Sequence, residues 1–254
     1  MSGATQQPAI RRRGSVRAVI GPTRLRAAAT MTLGAAIVFS IPLRAQVPAS
    51  AATVENVQIT VPGGGPVLTG RYRSAGRGTA GVLLFPMCSP SGADGWRPVA
   101  DRLRAAGVSS LMIAEPGWDA REARADAALA YLRSRLGATA SIALTGGSCG
   151  VALALSTAFR HPERVRAVAV LSGPYADLAL EHVRASPKLA VFSGASTGEP
   201  PSPEWARALK QASAHPASQV EIWTPRSHGT DYFAVNPSFA ERVADWLIER
   251  LKSP

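Results

Sequence analysis

The stretch TGGSCGVAL, residues 145–153, places a single serine among three glycines and joins two different kinds of sequence. The run SIALTG (141–146), which leads into the serine, is short and apolar and is typical of a buried strand. The run VALALSTAFRH (151–161), which follows the serine, has the length and composition of a helix. Gly146-Gly147-Ser148-Cys149-Gly150 matches the pattern G-x-S-x-G, in which serine sits on a sharp strand-to-helix turn. Glycines on both sides leave room for that turn. The alternative is an ordinary glycine-rich turn.

Strand-like and helix-like segments alternate on both sides of this motif. Strands are predicted at 54–61, 65–73, 80–86, 108–116, 141–146, 165–173, 188–194 and 219–225. Helices are predicted at 93–107, 121–137, 151–161, 202–214 and 238–252, with a short helix as one interpretation of 175–186. This alternation predicts an α/β fold with a mostly parallel sheet covered by helices on both faces. The first two strands meet at PGGG and predict an antiparallel N-terminal hairpin.

A serine that acts as a nucleophile needs a base, and the chain has four histidines. His161, His182 and His215 lie in polar segments, where a solvated position is the simplest interpretation. His228 differs, because it follows the last predicted strand and precedes the final helix. It also comes after the serine, as the chain order serine, acid, histidine requires. Ser148 and His228 are therefore the candidate nucleophile and base, and the alternative for His228 is a surface loop residue.

Three segments together resemble the α/β-hydrolase family, and within it the single-domain dienelactone-hydrolase-like members. They are GGSCG (146–150), LLFPMCSPSGADGW (83–96) and SHGTDYF (227–233). The resemblance covers about residues 53–254 and implies the α/β-hydrolase fold. It also implies a serine hydrolase that acts on a small-molecule acyl substrate (an ester, lactone, thioester or peptide) without a metal or organic cofactor. The segment 176–187 is too short for a large cap domain, so an open site is expected.

The chain departs from the family at the end of the third strand. Members usually have His-Gly there, and this chain has Phe85-Pro86. Because proline has no N–H to donate, the resemblance assigns the two backbone donors of the oxyanion hole to Met87 and Cys149.

A second departure concerns the acid. The family usually has Asp a few residues after KLAVFSG, but Ser196 and Thr197 occupy those positions here. Glu199 is the nearest carboxylate, and Asp177, after the preceding strand, is the alternative. If neither carboxylate reaches His228, the site is a serine–histidine dyad with weaker catalysis. The missing aspartate is also the best support for the alternative function, a non-catalytic binding or interaction protein that keeps this fold.

Cys88 and Cys149 are the two cysteines of the sequence. Both lie in segments that are expected to meet at the oxyanion hole, so their side chains are expected to be close. We favour two buried free thiols. A disulfide is the alternative, since an exported protein can pair its cysteines.

The formal net charge of +11 is concentrated at the N-terminus. Residues 1–51 contain seven arginines and no acid, which leaves 21 basic against 17 acidic residues in the remainder and predicts no nucleic-acid partner. The arginines, the uncharged stretch 27–43 and Ala49-Ser50-Ala51 are typical of a cleaved export signal. We therefore assign 1–51 to an export signal and 52–254 to one hydrolase domain of an exported, periplasmic or secreted protein. The alternative is a membrane anchor, if 27–43 stays uncleaved, although 17 uncharged residues are short for a membrane span.

Overall fold

The computed structural model describes residues 53–76, 78–89, 92–114, 120–224 and 226–252. The segment 1–51, interpreted above as an export signal, lies outside the described residues. Within the described ranges, no helix combines the length and apolar character needed to cross a membrane.

The sheet consists of eight strands in the described part of the chain. They are β1 (Val54–Ile59), β2 (Leu68–Arg73), β3 (Ala80–Phe85), β4 (Ser109–Ile113), β5 (Ser141–Gly147), β6 (Val165–Leu171), β7 (Ala190–Ser196) and β8 (Gln219–Trp223). Their order across the sheet is β1-β2-β4-β3-β5-β6-β7-β8. β2 runs antiparallel to both of its neighbours, and the other five neighbouring pairs are parallel. The predicted N-terminal hairpin is confirmed.

Helices cover both faces of the sheet. They are α1 (Gly92–Gly95), α2 (Arg97–Ala105), α3 (Arg121–Leu136), α4 (Cys149–Arg160), α5 (Leu178–Ala185), α6 (Ser202–Ala212), α7 (Tyr232–Val235) and α8 (Pro237–Lys252), with a 3₁₀ turn at Gly229–Asp231. Apolar side chains of α3, α4, α5 and α6 form a core on one face. Those of α2, α7 and α8 form a second core on the other face. The predicted α/β fold, a mostly parallel sheet with helices on both faces, is confirmed, and α5 alone lies between β6 and β7, where a cap domain would be inserted.

The helix predicted at 93–107 is interrupted at Trp96, so that prediction is wrong in its length. Pro98 stands in the first turn of α2. Proline has no N–H, and its ring would clash with the carbonyl four residues earlier if the helix ran on from α1. The short helical segments after His228, Gly229–Asp231 and Tyr232–Val235, were not predicted.

Parallel strands bring their following loops to one edge of the sheet. β3, β5, β6, β7 and β8 are all parallel to one another, so the residues that follow them meet at this edge. Ligand sites of open α/β sheets lie at the carboxyl ends of the strands. The candidate residues Met87, Ser148, Glu199 and His228 all follow strands that end there.

Candidate active site

Ser148 forms the junction between β5 and α4. Its backbone has φ +51° and ψ −121°, a conformation that residues with a side chain rarely adopt. Such strain costs on the order of 1–3 kcal/mol and persists only where the surroundings hold it. The Ser148 N–H donates to the carbonyl of Leu171 in β6 at 2.9 Å, and the Ser148 carbonyl accepts from the N–H of Val151 at 3.0 Å. These bonds hold a half-buried serine at the carboxyl edge of the sheet.

The turn depends on glycines around the serine. A Cβ on Gly146 would come within 2.2 Å of the Gly150 carbonyl oxygen, and one on Gly150 within 2.6 Å of the Pro86 oxygen. A Cβ on Gly173, after β6, would come within 2.1 Å of the Ser148 carbonyl oxygen. Each distance is far below van der Waals contact. The backbone segments at these three glycines are therefore closer together than any residue with a Cβ would allow. The steric reason predicted for the glycines of the motif is confirmed.

His228 is bonded to a carboxylate. Its Nδ1 lies 2.8 Å from Oε1 of Glu199. The Glu199 side chain is 12% exposed and that of His228 is 44% exposed, so the pair presents the imidazole towards solvent and shields the carboxylate. The second oxygen, Oε2, is buried without a hydrogen-bond partner among the described residues. The bond to His228 is therefore the polar contact that orders this carboxylate.

The loop after β7 positions Glu199. The Glu199 N–H donates to the Ser196 carbonyl at 3.2 Å, and the Ser202 N–H donates to the Glu199 carbonyl at 2.8 Å. Asp177, the alternative acid, is exposed next to the start of α5. Of these two carboxylates, Glu199 is the one that the structure brings to His228.

The side chain of Met87 joins the serine and histidine segments. Met87 is 2% exposed. A Cβ on Gly147, next to Ser148, would lie 2.9 Å from Met87 Cγ, and one on Gly229, next to His228, would lie 2.6 Å from Met87 Sδ. The Thr230 N–H also donates to Met87 Sδ at 3.4 Å. Met87 thus packs against the residues next to both candidates, a role that sequence reasoning missed. The sequence signal for this close packing was a glycine next to each candidate, Gly147 and Gly229.

The two expected oxyanion donors lie on adjoining segments. Cys149 is the first residue of α4, where backbone N–H groups have no partner within the helix. Met87 follows the Pro86 carbonyl, which is in close contact with Gly150 in the first turn of the same helix. The positive end of the helix dipole also favours negative charge at this point. This arrangement is suited to holding an anionic oxygen above Ser148.

Cys88 and Cys149 form a disulfide, with Cα atoms 5.8 Å apart. The expectation that they are close is confirmed, whereas the favoured interpretation as two free thiols is wrong. The sequence placed the two segments together, but whether the Cβ atoms converge depends on the loop path, which sequence patterns do not encode.

The other three histidines lie away from Ser148, and each is half-buried with a partner rather than simply solvated. His161, at the far end of α4, has Nε2 3.0 Å from Oδ1 of Asp126. His182 stacks on Phe159 with ring centroids 4.6 Å apart. His215 accepts from the Ala217 N–H at 3.1 Å, and burial, with a contribution from nearby Arg250, lowers its pKa.

Two cavities in the described part of the chain are not lined by Ser148. One of about 500 Å³ lies against β1, β2 and β4. Another of about 420 Å³ runs between α4 and α5, beginning at Ala152, one helical turn beyond Ser148. No group of three or more His, Cys, Asp or Glu side chains in the described ranges is arranged to hold a metal ion.

Comparison of the sequence with models of protein families and with curated proteins gives no match. The structure, in contrast, resembles solved hydrolases. A dienelactone hydrolase from Anabaena variabilis is similar with a TM-score of 0.64 and 19% identity, covering 79% of this chain and 99% of that one. The esterase domain of a Rhodothermus marinus protein gives 0.63 and 18%, covering 78% and 100%.

A Pyrococcus furiosus esterase gives a TM-score of 0.59 and 16% identity, covering 79% of this chain and 92% of its own. Sequence identities this low show a shared fold and do not show a shared reaction. The likeness, together with the strand order, shows that this chain has the α/β-hydrolase fold.

Proposed function

We propose that this protein is a serine hydrolase that cleaves an ester, lactone, thioester or amide bond through an acyl-enzyme on Ser148. The observation that carries the proposal is the 2.8 Å contact between His228 and Glu199 at the sheet edge where Ser148 is held in a strained turn. The dienelactone hydrolase and esterases that share the fold support the same class of reaction.

Acylation begins when Ser148 Oγ attacks the acyl carbon of the substrate. His228 Nε2 takes the hydroxyl proton, while Nδ1–H donates to Glu199, which holds the tautomer and stabilises the imidazolium. The oxyanion of the tetrahedral intermediate accepts hydrogen bonds from the N–H groups of Met87 and Cys149. The intermediate then collapses, and the bond to the leaving group breaks. The leaving group takes the proton from His228 and departs as an alcohol, thiol or amine.

Deacylation repeats these steps with water. His228 takes one proton from a water molecule as its oxygen attacks the acyl-enzyme. The same two N–H groups hold the second oxyanion. Ser148 Oγ leaves and recovers the proton from His228, and the product is a carboxylic acid. His228 relays the proton in both halves of the reaction, and the water consumed in deacylation supplies the proton that returns to Ser148.

In the proposed site, Glu199 takes the role that an aspartate has in the family pattern, and it does so from a later position in the loop after β7. The strand β7 ends at Ser196, and the turn places the carboxylate three residues further along. The extra methylene of glutamate extends the carboxylate from this later position to His228 Nδ1. The missing aspartate was the strongest support for a non-catalytic binding protein of this fold, and this contact favours the enzyme over that alternative.

A fluorophosphonate probe tests the proposal, because it reacts with a serine only where a base and an oxyanion hole activate it. We expect one adduct per chain, located at Ser148 by mass spectrometry of the peptides. The matched control is Ser156→Ala, in the third turn of the same helix, which we expect to label like the parent. A folded protein that takes up no probe would support the binding-protein alternative.

We also propose that the protein is exported. The disulfide between an exposed Cys88 and Cys149 supports an oxidising compartment, where such bonds persist. The export signal expected in 1–51 agrees with this compartment. Expression in a bacterium followed by fractionation and N-terminal sequencing tests it. We expect a periplasmic or secreted form that begins near Ala52, whereas a full-length chain in the membrane fraction would favour the anchor.

A further inference from the structure

We infer that the Cys88–Cys149 disulfide holds the oxyanion hole in its working geometry, so that the enzyme is active when oxidised and loses turnover when the bond is reduced. The inference rests on the function proposed above and adds regulation to the same site. Cys88 and Cys149 act in it as positioning residues through their sulfur atoms.

The loop after β3 contacts the first turn of α4 on both sides of Met87. Before Met87, the Pro86 carbonyl oxygen lies 2.6 Å from where a Cβ on Gly150 would be. After Met87, Cys88 is bonded covalently to Cys149. Met87 therefore lies between two links to α4, the helix that carries the other donor. The residue before it makes a packing contact, and the residue after it makes a covalent bond.

The packing contact and the disulfide differ in strength. A carbonyl packed against a glycine contributes only weak dispersion and weak C–H···O attraction. The disulfide fixes the distance between the backbone of Cys88 and that of Cys149. Both donors must point at one oxygen from about 3 Å, and a displacement of about 1 Å can cost on the order of 10²-fold in rate. Reduction removes the stronger of the two constraints on that geometry.

Other contacts keep the loop from unfolding when the bond is reduced. The Met87 side chain stays packed by Gly147 and Gly229, and the Trp96 indole N–H donates to the Phe85 carbonyl at 2.8 Å. Neither of the two apolar cores includes Cys88 or Cys149. Reduction is therefore expected to loosen the direction of the Met87 N–H while the fold remains.

The disulfide is open to a reductant from solvent. Cys88 is exposed and Cys149 is half-buried, so one sulfur can be attacked without prior unfolding. Tris(2-carboxyethyl)phosphine reduces the bond by giving two electrons to the two sulfur atoms. The phosphine takes the oxygen of a water molecule and becomes the phosphine oxide. The two protons of that water appear on the thiols of Cys88 and Cys149.

The experiment compares oxidised, reduced and reoxidised protein with a chromogenic acetate ester, after removal of the phosphine. Circular dichroism and thermal unfolding confirm that each form is folded at the assay temperature. We expect reduction to lower kcat at least about tenfold with KM changed less than about twofold, because the oxyanion bonds form only in the transition state. Reoxidation should restore kcat.

The double variant Cys88→Ser/Cys149→Ser is the matched control. The sequence has no other cysteine, so a reductant effect in the parent that is absent from this variant belongs to this bond. We expect the variant to have the low kcat of the reduced enzyme. Equal kcat in folded oxidised and reduced protein would overturn the inference and leave the proposed function intact. An oxidised protein without Ser148-dependent hydrolysis would overturn both.

Discussion

The contact between His228 and Glu199 is the residue-scale feature on which the proposed triad rests. In the proposed mechanism, Nδ1 donates to this carboxylate and Nε2 accepts the serine proton. Sequence reasoning proposed Glu199 first and Asp177 second, and the structure brings Glu199 to 2.8 Å. The carboxylate that contacts His228 thus comes from Glu199, three residues after the end of β7.

Glu199→Gln tests this role against Asp177→Asn. Glutamine keeps the shape but can hold the wrong tautomer of His228, so we expect kcat to fall by about 10²–10⁴-fold. Asp177→Asn, at an exposed position, should change kcat little. Steady-state kinetics on a chromogenic ester measures both. The reverse order would move the acid to Asp177, and no effect from either variant would indicate a dyad.

At the scale of secondary-structure elements, the site depends on how closely the β3 loop approaches the first turn of α4. Gly150→Ala tests that approach. The added Cβ would meet the backbone oxygens of Pro86 at 2.6 Å and Phe85 at 3.0 Å, so the loop must shift. We expect kcat to fall about tenfold or more by displacement of the Met87 N–H, although alanine is a better helix former than glycine by about 1 kcal/mol.

Gly65→Ala is the control for this substitution. A Cβ there meets only Val61, at 3.7 Å, which is ordinary contact. We expect parental kcat from it. Parental kcat from Gly150→Ala as well would mean that the loop relaxes without disturbing the site.

The contact between α3 and the end of α4 gives a pH-dependent contribution to stability. Burial raises the pKa of Asp126, but hydrogen bonds from Arg160 and His161 outweigh burial and hold this pKa below its ordinary value. The folded state thus binds the proton more weakly than the unfolded state. The stabilisation is present above the unfolded pKa of about 3.9 and is lost as pH falls through the lower folded value.

Asp126→Asn should therefore lower the free energy of unfolding at pH 7 by about 1 kcal/mol or less, since the carboxylate is partly exposed. The difference between parent and variant should shrink below about pH 4. Urea unfolding at both pH values measures it. A difference that stays constant with pH would assign the effect to packing rather than to the charge.

At the scale of the whole molecule, two cores hold the sheet, and the one under α8 is built around aromatic rings. Phe239 is fully buried and lies within 5.0–6.1 Å, centroid to centroid, of Phe192, Trp223, Tyr232 and Phe233. Phe239→Ala should lower the free energy of unfolding by about 3–5 kcal/mol. Because Phe239 contributes no group to the proposed reaction, kcat of the folded fraction should persist. Chemical denaturation with parallel kinetics checks both statements.

The fold was predictable because its signal is local and repeated. Apolar runs and helical spacings alternate along 54–252, and the order of strands and helices follows from them. What the sequence did not determine depends on loop paths between distant segments. The thiols of Cys88 and Cys149 were expected to be free, the break at Trp96 was missed, and the packing of Met87 between Gly147 and Gly229 was not foreseen. The two contacts join residues about 60 or more positions apart, whereas the break at Trp96 has a local cause in Pro98.

Whether Ser148 is the nucleophile is decided by Ser148→Ala. The measurement is hydrolysis of a panel of chromogenic esters of graded acyl length by the parent, Ser148→Ala and Ser156→Ala, each shown to be folded by circular dichroism. We expect Ser148→Ala to lose several decades of kcat/KM on every ester that the parent cleaves, and Ser156→Ala to stay close to the parent. A folded Ser148→Ala protein that keeps most of the parent's activity would contradict the account.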